Sequence, residues 1–490
     1  MKNASTSSVV KICILLFIMS AMFQHIEAQV GINTTTPDAS SILDLTSTTQ
    51  GLLPPRMTTA QKLAIVSPAN GLLVYDTDLN GYSYYDLPTA TWDNIPHGRS
   101  NFKRIKPTDV LASVLAAELA AGGGTKYLLD TQTLYEINGT ILVDFPIELN
   151  NAYLVGLDSG EDKLIKASGD LFVGSTGGAI KVLTLVASTG NVFNINGGGT
   201  QNLIVRDTII ASSANVGVLE NFALVFGSII QFVGNTNGII YRDITKLLLD
   251  NQAWFGNNAG TYEKLEGTFG TIQKQGGFSE LYGATIGVDV SSNPTISIQG
   301  TMYAVNFIGT PTTGFFVKKY TTGSYTGYNF NNKWDINCQG IPLESDGVAV
   351  GDVNFDLAVG SGVLTTLTTS TPVKIVGTTT ANNFFRASTG SSDNRIQYLG
   401  KEKRFFTINA AVSFQATNST NTTYVFYIAK NGTVINRSKT YIFTTNPSDI
   451  LAFPLQCAVE LSPNDYVEVY AERYSGTSNM LTVSLNLFMK

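Results

Sequence analysis

The stretch of residues 127–317 constrains the fold most, because it is an almost unbroken series of short β-strand signals. Segments such as 180–185, 192–195 and 228–232 are rich in β-branched and aromatic residues and are bounded by Gly, Asn, Ser and Asp, which is the pattern of strands. Clean two-residue hairpin turns are rare along it. A sandwich or a propeller stays open, but this pattern favours a right-handed parallel β-helix, whose coils need only loose repetition.

Composition bounds the class of protein. The chain has 490 residues, long enough for two or three domains, and only 14% are charged, which is typical of extracellular β-proteins rather than of cytosolic enzymes. The formal net charge is −6 and no basic block stands out. We therefore expect no nucleic-acid partner and no anionic-membrane partner.

Residues 1–28 have the pattern of a secretory signal peptide. Lys2 and Lys11 precede an apolar run that begins at Ile12, and Ala28 supplies a small residue at the expected cleavage site. An uncleaved anchor is the alternative, but about twelve apolar residues are too few to span a bilayer. The sequence therefore predicts a secreted or cell-surface protein without a membrane span after cleavage.

Residues 29–99 form a leader with recognisable motifs: 30–37 (VGINTTTP), 51–59 (GLLPPRMTT) and 68–77 (PANGLLVYDT). The leader resembles a module of exported proteins from Bacteroidetes-type bacteria, and similar leaders begin tail-fibre-like proteins of their phages. A hairpin is expected at residues 71–86. Because an isolated hairpin is marginal in water, the module is expected to pair or trimerise.

Residues 107–124 are the one convincing helix. Thr108 can cap it, an apolar stripe runs through it, and the glycines 122–124 end it. We expect it to cover the open N-terminal end of a β-helix formed by residues 125–317. Residues 318–381 are then a neck or linker with short strands.

Residues 382–490 show longer alternating strands, including 405–414 and 424–430, with a tight hairpin at Asn431 and Gly432. The element 460–467 (ELSPNDYV) and the final apolar strand resemble the TNF/C1q-like jelly roll. That resemblance implies a knob that trimerises through one apolar face per subunit. The predicted fold is thus all-β: a capping helix, a right-handed parallel β-helix and a C-terminal jelly roll, assembled as a homotrimer.

Catalytic chemistry has little support in the residues. His97 is the only histidine after the predicted cleavage, which excludes a His-based triad in the large domains and a His-rich zinc site. We predict no catalytic residue, no metal and no cofactor. Acids on adjacent coils could cleave a polysaccharide, but turn acids are more often simply solvated; the candidates are Asp158, Glu161, Asp162, Asp207, Asp243, Asp250, Glu263 and Glu266.

Five aromatic residues are candidate ligand-binding residues. Trp254 and Phe255 lie among amides in an expected loop between coils, and Tyr325, Tyr328 and Trp334 lie in the expected neck. Aromatic rings with nearby amides suit sugar binding. The alternative is that they close a local core or the end of the solenoid.

Three functions fit these features. The leading hypothesis is a non-enzymatic, secreted, homotrimeric surface fibre or spike that binds glycans or a cell-surface receptor. The second is a phage tail fibre or tailspike that recognises a host with the same architecture. The third is a polysaccharide lyase or hydrolase that uses the β-helix surface. The signal-peptide pattern favours the first over the second, and the sequence favours binding over catalysis.

Overall fold

A computed structural model describes residues 5–21, 29–95 and 101–490. It has two compact units, Met1–Ser100 and Asn101–Lys490. The predicted signal-peptide cleavage site and His97 lie outside the described residues. The helices are short, and among those described none is long and apolar enough to cross a membrane; they are α1 (Ser5–Ala21), α2 (Thr59–Leu63), α3 (Leu111–Val114) and α4 (Ala116–Ala121), with 3₁₀ turns at Asp346–Val348 and Asn436–Ser438.

The leader contains two small sheets. In one, β1 pairs with β2; in the other the order is β3-β4-β5-β6, and the β4–β5 hairpin confirms the expected one. A capping box between Thr58 and Gln61 begins α2. The strands are β1 (Val30–Ile32), β2 (Leu43–Leu45), β3 (Arg56–Met57), β4 (Leu73–Asp76), β5 (Gly81–Asp86) and β6 (Thr91–Asn94).

A buried ion pair holds the second sheet of the leader to α2. Lys62 Nζ lies 2.7 Å from Asp76 Oδ2, and both side chains are almost fully buried. Burial opposes ionisation of Asp76, but bonds from Lys62, Thr59 and two backbone N–H groups outweigh it and lower its pKa to about 2. The pair therefore fixes the helix on the sheet through charge-assisted bonds.

The leader leaves much apolar surface uncovered. Val30, Ile42 and Leu43 on and beside the first sheet are 52%, 84% and 47% exposed, and Leu52 and Leu53 are 63% and 64% exposed. So many exposed aliphatic side chains on so small a unit mark a surface that associates with another chain.

Residues 102–339 form a parallel β-solenoid with three walls. Every pairing between coils is parallel, and side chains alternate between the core and the outside. The first wall contains β7 (Phe102–Ile105), β9 (Leu134–Ile137), β12 (Tyr153–Val155), β15 (Gly178–Lys181) and β28 (Trp334–Gln339); the second contains β10 (Thr140–Leu142), β13 (Lys163–Lys166) and β16 (Thr184–Ala187).

In the middle coils one long strand runs through the first wall and on into the second. These strands are β18 (Asn202–Ala211), β20 (Leu224–Val233), β22 (Lys246–Trp254), β24 (Thr268–Gly283) and β26 (Thr295–Pro311). The third wall contains β8 (Tyr127–Leu128), β11 (Ile147–Glu148), β14 (Phe172–Gly174), β17 (Asn191–Asn196), β19 (Asn215–Glu220), β21 (Asn237–Arg242), β23 (Thr261–Glu266), β25 (Ile286–Asp289) and β27 (Phe315–Lys318).

A stack of left-handed residues forms the corner between the first and second walls. Asn202 pairs with Leu224 and Leu224 with Lys246, so these coils each add 22 residues. In each of β18, β20 and β22 one residue near the middle has a positive φ: 52° at Asp207, 54° at Ile229 and 47° at Asn251. This single residue turns the strand, so the inward alternation restarts on the second wall.

The N-terminal helical segment is shorter than the expected helix 107–124 and is broken. It begins at Leu111 after Val110, whose side chain makes no cap and is 68% exposed, so Thr108 is not the cap. The break is at Leu115, which has non-helical backbone angles. Leu111 and Leu115 are buried in the solenoid core, so the segment occupies the place of a second-wall strand between β7 and β8.

The C-terminal part is a two-sheet antiparallel sandwich around its own core. The tight hairpin expected at residues 431–432 joins β36 to β37. The strands are β29 (Gly351–Asp356), β30 (Val363–Thr365), β31 (Val373–Lys374), β32 (Thr380–Ala381), β33 (Ala387–Ser388), β34 (Arg395–Tyr398), β35 (Arg404–Ala416), β36 (Thr422–Lys430), β37 (Thr433–Val434), β38 (Thr440–Thr444), β39 (Leu451–Leu461), β40 (Tyr466–Ser475) and β41 (Met480–Met489).

The strand order of the sandwich is that of a double-sheet jelly roll. One sheet has the order β29-β41-β35-β39, and the other has β34-β40-β36 with β38 beyond. If the eight longest strands are numbered along the chain, these sheets read 1-8-3-6 and 2-7-4-5. Every pair of successive strands except 4 and 5 therefore crosses between the sheets, as in two nested Greek keys.

The structure moves two boundaries predicted from the sequence. Solenoid strands begin at Phe102 and end at Gln339, beyond the expected 125–317 on both sides. The expected neck 318–381 is divided between the two domains, because β28 belongs to the solenoid and β29 pairs with β41 at the far end of the chain. That pairing partner is too distant in sequence for local patterns to reveal it.

Candidate functional site

A cleft lies where the last coil of the solenoid meets the sandwich. Its volume is about 590 Å³, within the range of small-ligand sites. One side is a loop after β27 and the other is the segment that leads into β33. The lining residues are Ser324, Tyr325, Thr326, Gly327, Tyr328, Pro342, Val350, Asn382, Asn383 and Phe384.

The loop is anchored to the solenoid end by buried aromatic residues. Tyr320 is 2% exposed, and its hydroxyl donates to the Pro294 carbonyl (2.8 Å) and accepts from Trp334 Nε1 (3.1 Å). The ring of Phe330 packs on Trp334 with centroids 4.9 Å apart. Residues 321–329 are thus held at both ends by core side chains, and their middle projects over the junction.

Phe385 is the floor on which the two cleft tyrosines rest. Its side chain is 1% exposed. The Tyr328 ring stacks on it at 4.0 Å with a 24° interplanar angle, and the Tyr325 ring meets it edge-on at 5.3 Å. Since Tyr325 and Tyr328 are fixed but only partly buried, they present preorganised aromatic surface to the cleft.

The polar groups of the cleft are neutral. Asn382 and Asn383 are exposed amides, and Asn382 Nδ2 donates to Asn354 Oδ1 at 2.7 Å. Burial raises the pKa of the Tyr325 hydroxyl, and burial together with the charge of Glu344 raises that of Tyr328. Both hydroxyls are therefore protonated at neutral pH and can donate and accept. The lining residues described above include no carboxylate, and they combine aromatic faces with neutral hydrogen-bonding groups.

The structure corrects the prediction for Trp254 and Trp334, which are both 0% exposed. Trp254 stacks between Phe232 (3.7 Å) and Tyr262 (4.9 Å) inside the solenoid. The reason is that β22 continues through Trp254, where a loop was expected, and the corner at Asn251 points Trp254 inward. These two indoles close the solenoid core and cannot stack on a ligand at the surface.

Phe255 lies apart from the cleft as well. It is half-buried at the end of β22, and its ring meets Phe278 edge-on at 5.2 Å. Of the five aromatic residues singled out from the sequence, the structure brings together only Tyr325 and Tyr328. The ligand role of these two stays a prediction.

The candidate acids are mostly engaged in the framework, not free on turns. Asp162 is buried and accepts the N–H groups of Gly139 and Leu157, each at 2.7 Å. Burial opposes its ionisation, but these bonds lower its pKa. Glu263 faces the core and pairs with Lys274 at 2.9 Å, where both side chains are at most 4% exposed.

Two further acids stabilise the outer surface. Asp243 Oδ1 accepts the Thr268 N–H at 2.7 Å beside a left-handed turn. Glu266 bridges Arg242 and Lys264, each at 2.5 Å, and these cations lower its pKa. Their bonds give these acids structural roles. Among the described residues no group of three or more His, Cys, Asp and Glu side chains is placed to hold a metal ion.

A shallower groove on the third wall presents a ladder of amides. Asn191, Asn215 and Asn237 pair in register on successive coils, and Asn237 Nδ2 donates to Asn215 Oδ1 at 3.0 Å. The groove has a volume of about 360 Å³. Since its amide groups already donate to Asp170, the Gly190 carbonyl and Asn215, and no aromatic ring lines it, it is a weaker candidate than the junction cleft.

Sequence reasoning missed one side of the cleft, namely Asn382, Asn383 and Phe384. They are the first residues of the predicted C-terminal domain, next to its predicted boundary. The available signal was the Asn-Asn-Phe-Phe run at 382–385, which combines exposed amides with aromatic rings.

Comparison with known proteins gives one family match. Residues 31–107 match the family described as phage tail like trimerisation region. This match covers most of the leader and the first solenoid strand, and it does not extend to the rest of the chain. No curated protein sequence matches the chain significantly.

Two solved structures are similar to parts of the chain. The Eiger TNF of S. frugiperda is 11% identical, and the match covers 29% of this chain and 92% of that one, with a TM-score of 0.19. The enzymatically active domain of bacteriophage CBA120 tailspike protein 4 is 10% identical, and the match covers 89% of this chain and 77% of that one, with a TM-score of 0.29.

Proposed function

We propose that the chain is a homotrimeric, tail-fibre-like receptor-binding protein that recognises a neutral saccharide on a cell surface. The observation that carries the proposal is the match of residues 31–107 to a phage tail-like trimerisation region. The solenoid then acts as the stalk, and the cleft at its C-terminal end acts as the recognition site.

The exposed surface of the leader supports the trimeric part of the proposal. Its two small sheets leave Val30, Ile32 and Leu43 at 52%, 54% and 47% exposure. Aliphatic side chains at such exposure are stabilised when another copy covers them, at about 25 cal/mol per Å² of apolar surface removed from water. A module this small gains its stability by association.

The chemistry of the junction cleft supports a saccharide as the ligand. A sugar ring offers apolar C–H faces and neutral hydroxyl groups, which match the rings of Tyr325 and Tyr328 and the amides of Asn382 and Asn383. A charged ligand has no counter-ion among the residues that line the cleft. A neutral or weakly charged glycan is therefore the ligand class that this site fits.

The strand order of the sandwich supports a further part of the proposal, a TNF/C1q-like knob. The sheet β29-β41-β35-β39 exposes Thr407, Ala411 and Ala458 on its outer face, which are small and uncharged. A face of this kind allows close approach of another copy. We infer that the knob contributes to the trimer together with the leader.

The test combines mass and binding. Sedimentation of the full chain should give a trimer, and a panel of surface glycans should yield at least one that binds by calorimetry. Tyr325→Ala with Tyr328→Ala should then weaken binding by about 2–4 kcal/mol, the cost of two stacking contacts with their hydrogen bonds. Tyr474→Ala is the matched control, since Tyr474 is 58% exposed and lies outside the cleft lining.

Two outcomes would count against the proposal. A monomeric full chain would remove its trimeric part. Glycan binding that survives both tyrosine substitutions unchanged would place the recognition site elsewhere and leave the trimer intact.

A secreted surface fibre is the second candidate, because the apolar run that begins at Ile12 follows Lys2 and Lys11 as in an export signal. Mass spectrometry of the protein from its native host discriminates the two. A product that starts near Gln29 favours the secreted fibre, and a product that retains Lys2 favours the tail-fibre-like protein.

A further inference from the structure

An apolar column runs down the outside of the first wall. Register pairs place its members directly above one another on successive coils, and from Leu134 onward at least one sequence neighbour of each member points into the core. This column is called stripe A and consists of Phe102, Leu134, Tyr153, Ile204, Phe226 and Leu248. The small residue Ala179 occupies the position between Tyr153 and Ile204.

A second apolar column runs down the outside of the second wall. Leu142 pairs with Ile165 and Ile165 with Val186. Pairing of Leu185 with Ile210 continues the register to Ala211, which pairs with Val233. Leu142 is 72% exposed and the others are half-buried. This column is called stripe B: Leu142, Ile165, Val186, Ala211 and Val233.

Both stripes are first interrupted by a polar residue on the same coil, that of β24. In stripe A the residue that pairs with Leu248 is Gln273, followed by Thr301. In stripe B the position after Val233 is Phe255, since Phe232 pairs with Trp254. The position after Phe255 is Glu280, since Trp254 pairs with Ser279. The uninterrupted apolar part of each stripe therefore lies on the N-terminal coils and ends before β24, although Ile308, which pairs with Glu280 and is 42% exposed, is again apolar.

We propose that stripe A of one copy packs against stripe B of the next copy in the homotrimer. Closed three-fold rings need two unlike, complementary surfaces on each subunit, whereas a two-fold dimer uses one surface twice. The two stripes are unlike and lie on walls that share one corner, so each subunit can contact both neighbours at once. The corner that contains Asp207, Ile229 and Asn251 then faces the three-fold axis.

The partner that covers the stripes is a second copy of this chain, because stripe A begins within the residues that match a trimerisation region. Residues 31–107 include Phe102, the first member of stripe A. From Phe102 to Leu248 the stripe spans seven coils, or about 30 Å at the spacing of paired strands. The inference rests on the proposed trimer and goes beyond it by assigning which solenoid surfaces meet.

Cysteine crosslinking in the full chain tests the pairing. Phe226 and Val233 lie on one coil, one in each stripe. A chain with Phe226→Cys and Val233→Cys, treated with a short bismaleimide, should give covalent dimers and trimers on a denaturing gel. Either substitution alone should give none, since stripe A meets only stripe B. All of these chains also carry Cys13→Ser, because Cys13 is exposed; the parent chain with this change alone, in which Cys338 is half-buried and Cys457 buried, sets the background.

Thiol protection supplies a second measurement with a matched pair. Leu248→Cys should react with a maleimide about tenfold more slowly than Gln273→Cys, the residue directly paired with it, because the first thiol reacts only when the interface opens. Crosslinks from Phe226→Cys alone would show a two-fold contact and overturn the proposal. Equal labelling rates and no crosslinks in a chain that sediments as a trimer would overturn it as well, while the proposed trimer stands. A monomeric parent chain would overturn both.

Discussion

Replacement of Arg386 by Met is expected to weaken the junction between the solenoid and the sandwich. Arg386 is 1% exposed. Its guanidinium donates to Asp346 and to the Trp334 carbonyl, and it lies 3.4 Å from Asp335. It therefore binds the last solenoid coil and the start of the sandwich at the same point.

The magnitude follows from what remains when the guanidinium is lost. Breaking a buried ion pair by removing one partner costs about 3–5 kcal/mol, because the other charge stays buried without compensation. Asp346 is 4% exposed, but its Oδ2 keeps the N–H groups of Lys401 and Glu402, each at 2.8 Å. We therefore expect the lower end of the range, about 3 kcal/mol. Arg386→Lys keeps the charge but not the forked geometry, so an intermediate loss is expected.

Urea unfolding followed by tryptophan fluorescence measures this loss, since Trp334 is buried beside the guanidinium. The control is Arg437→Met. Arg437 is exposed and donates one bond to the Ala458 carbonyl at 2.7 Å, so its loss should cost less than about 0.5 kcal/mol. A loss of less than about 1 kcal/mol for Arg386→Met, or a loss equal to that of the control, would refute the reasoning. A buried ion pair that loses one partner is expected to destabilise the protein by more than this.

Three other experiments test the framework. Trp254→Ala should destabilise the chain by about 3–5 kcal/mol through the cavity it leaves without changing glycan affinity; a loss of binding would restore Trp254 to the site. Asp76 has a pKa of about 2 in the folded chain, below its ordinary value of 3.8. Its stabilising effect is therefore complete above pH 3.8 and is lost as the pH falls through 2. In an acid titration of the full chain, the stability of Asp76→Asn should depend less on pH in this range than that of the parent, and identical profiles would contradict this. Asp243→Ala should be less stable than Asp207→Ala by about 0.5–1.5 kcal/mol, since both have left-handed backbones but only Asp243 accepts a backbone N–H, that of Thr268; equal losses by urea unfolding would show that bond to be inert.

The solenoid could be predicted from the sequence because its signal is local. β-Branched runs and turn residues repeat along the chain, and each coil packs on its neighbour. The corners could not be predicted, since Ile229 is a β-branched residue with a φ of 54°, a conformation that its type disfavours. Without the corner at Asn251, the direction of Trp254 cannot be read from the alternation, so the sequence leaves open whether its indole binds a ligand or closes the core.

The cleft was only half predictable for a different reason. Tyr325 and Tyr328 stand out as aromatic residues in a polar loop, so their surface role was within reach of the sequence. Their floor, Phe385, belongs to a segment joined to the sandwich through β29 and β41, whose pairing spans most of the C-terminal domain. Non-local pairing of this kind leaves no trace in a local pattern.

The position of the cleft follows from how the outer surface is used. On the N-terminal coils one outward column on each of two walls is apolar, and on the third wall acids such as Glu266 are bound in ion pairs. The cleft combines aromatic and polar surface over the buried Phe385 ring, because the end of the solenoid contributes one side and the sandwich contributes the other. The cleft therefore exists only while the solenoid and the sandwich are in contact. Arg386 links the stability of this junction to the proposed glycan binding, since its guanidinium lies 5.4 Å from the Phe385 ring. Arg386→Met should accordingly weaken glycan binding even though Arg386 does not line the cleft. Unchanged affinity in a destabilised Arg386→Met chain would show that the tyrosine loop holds its shape without the sandwich.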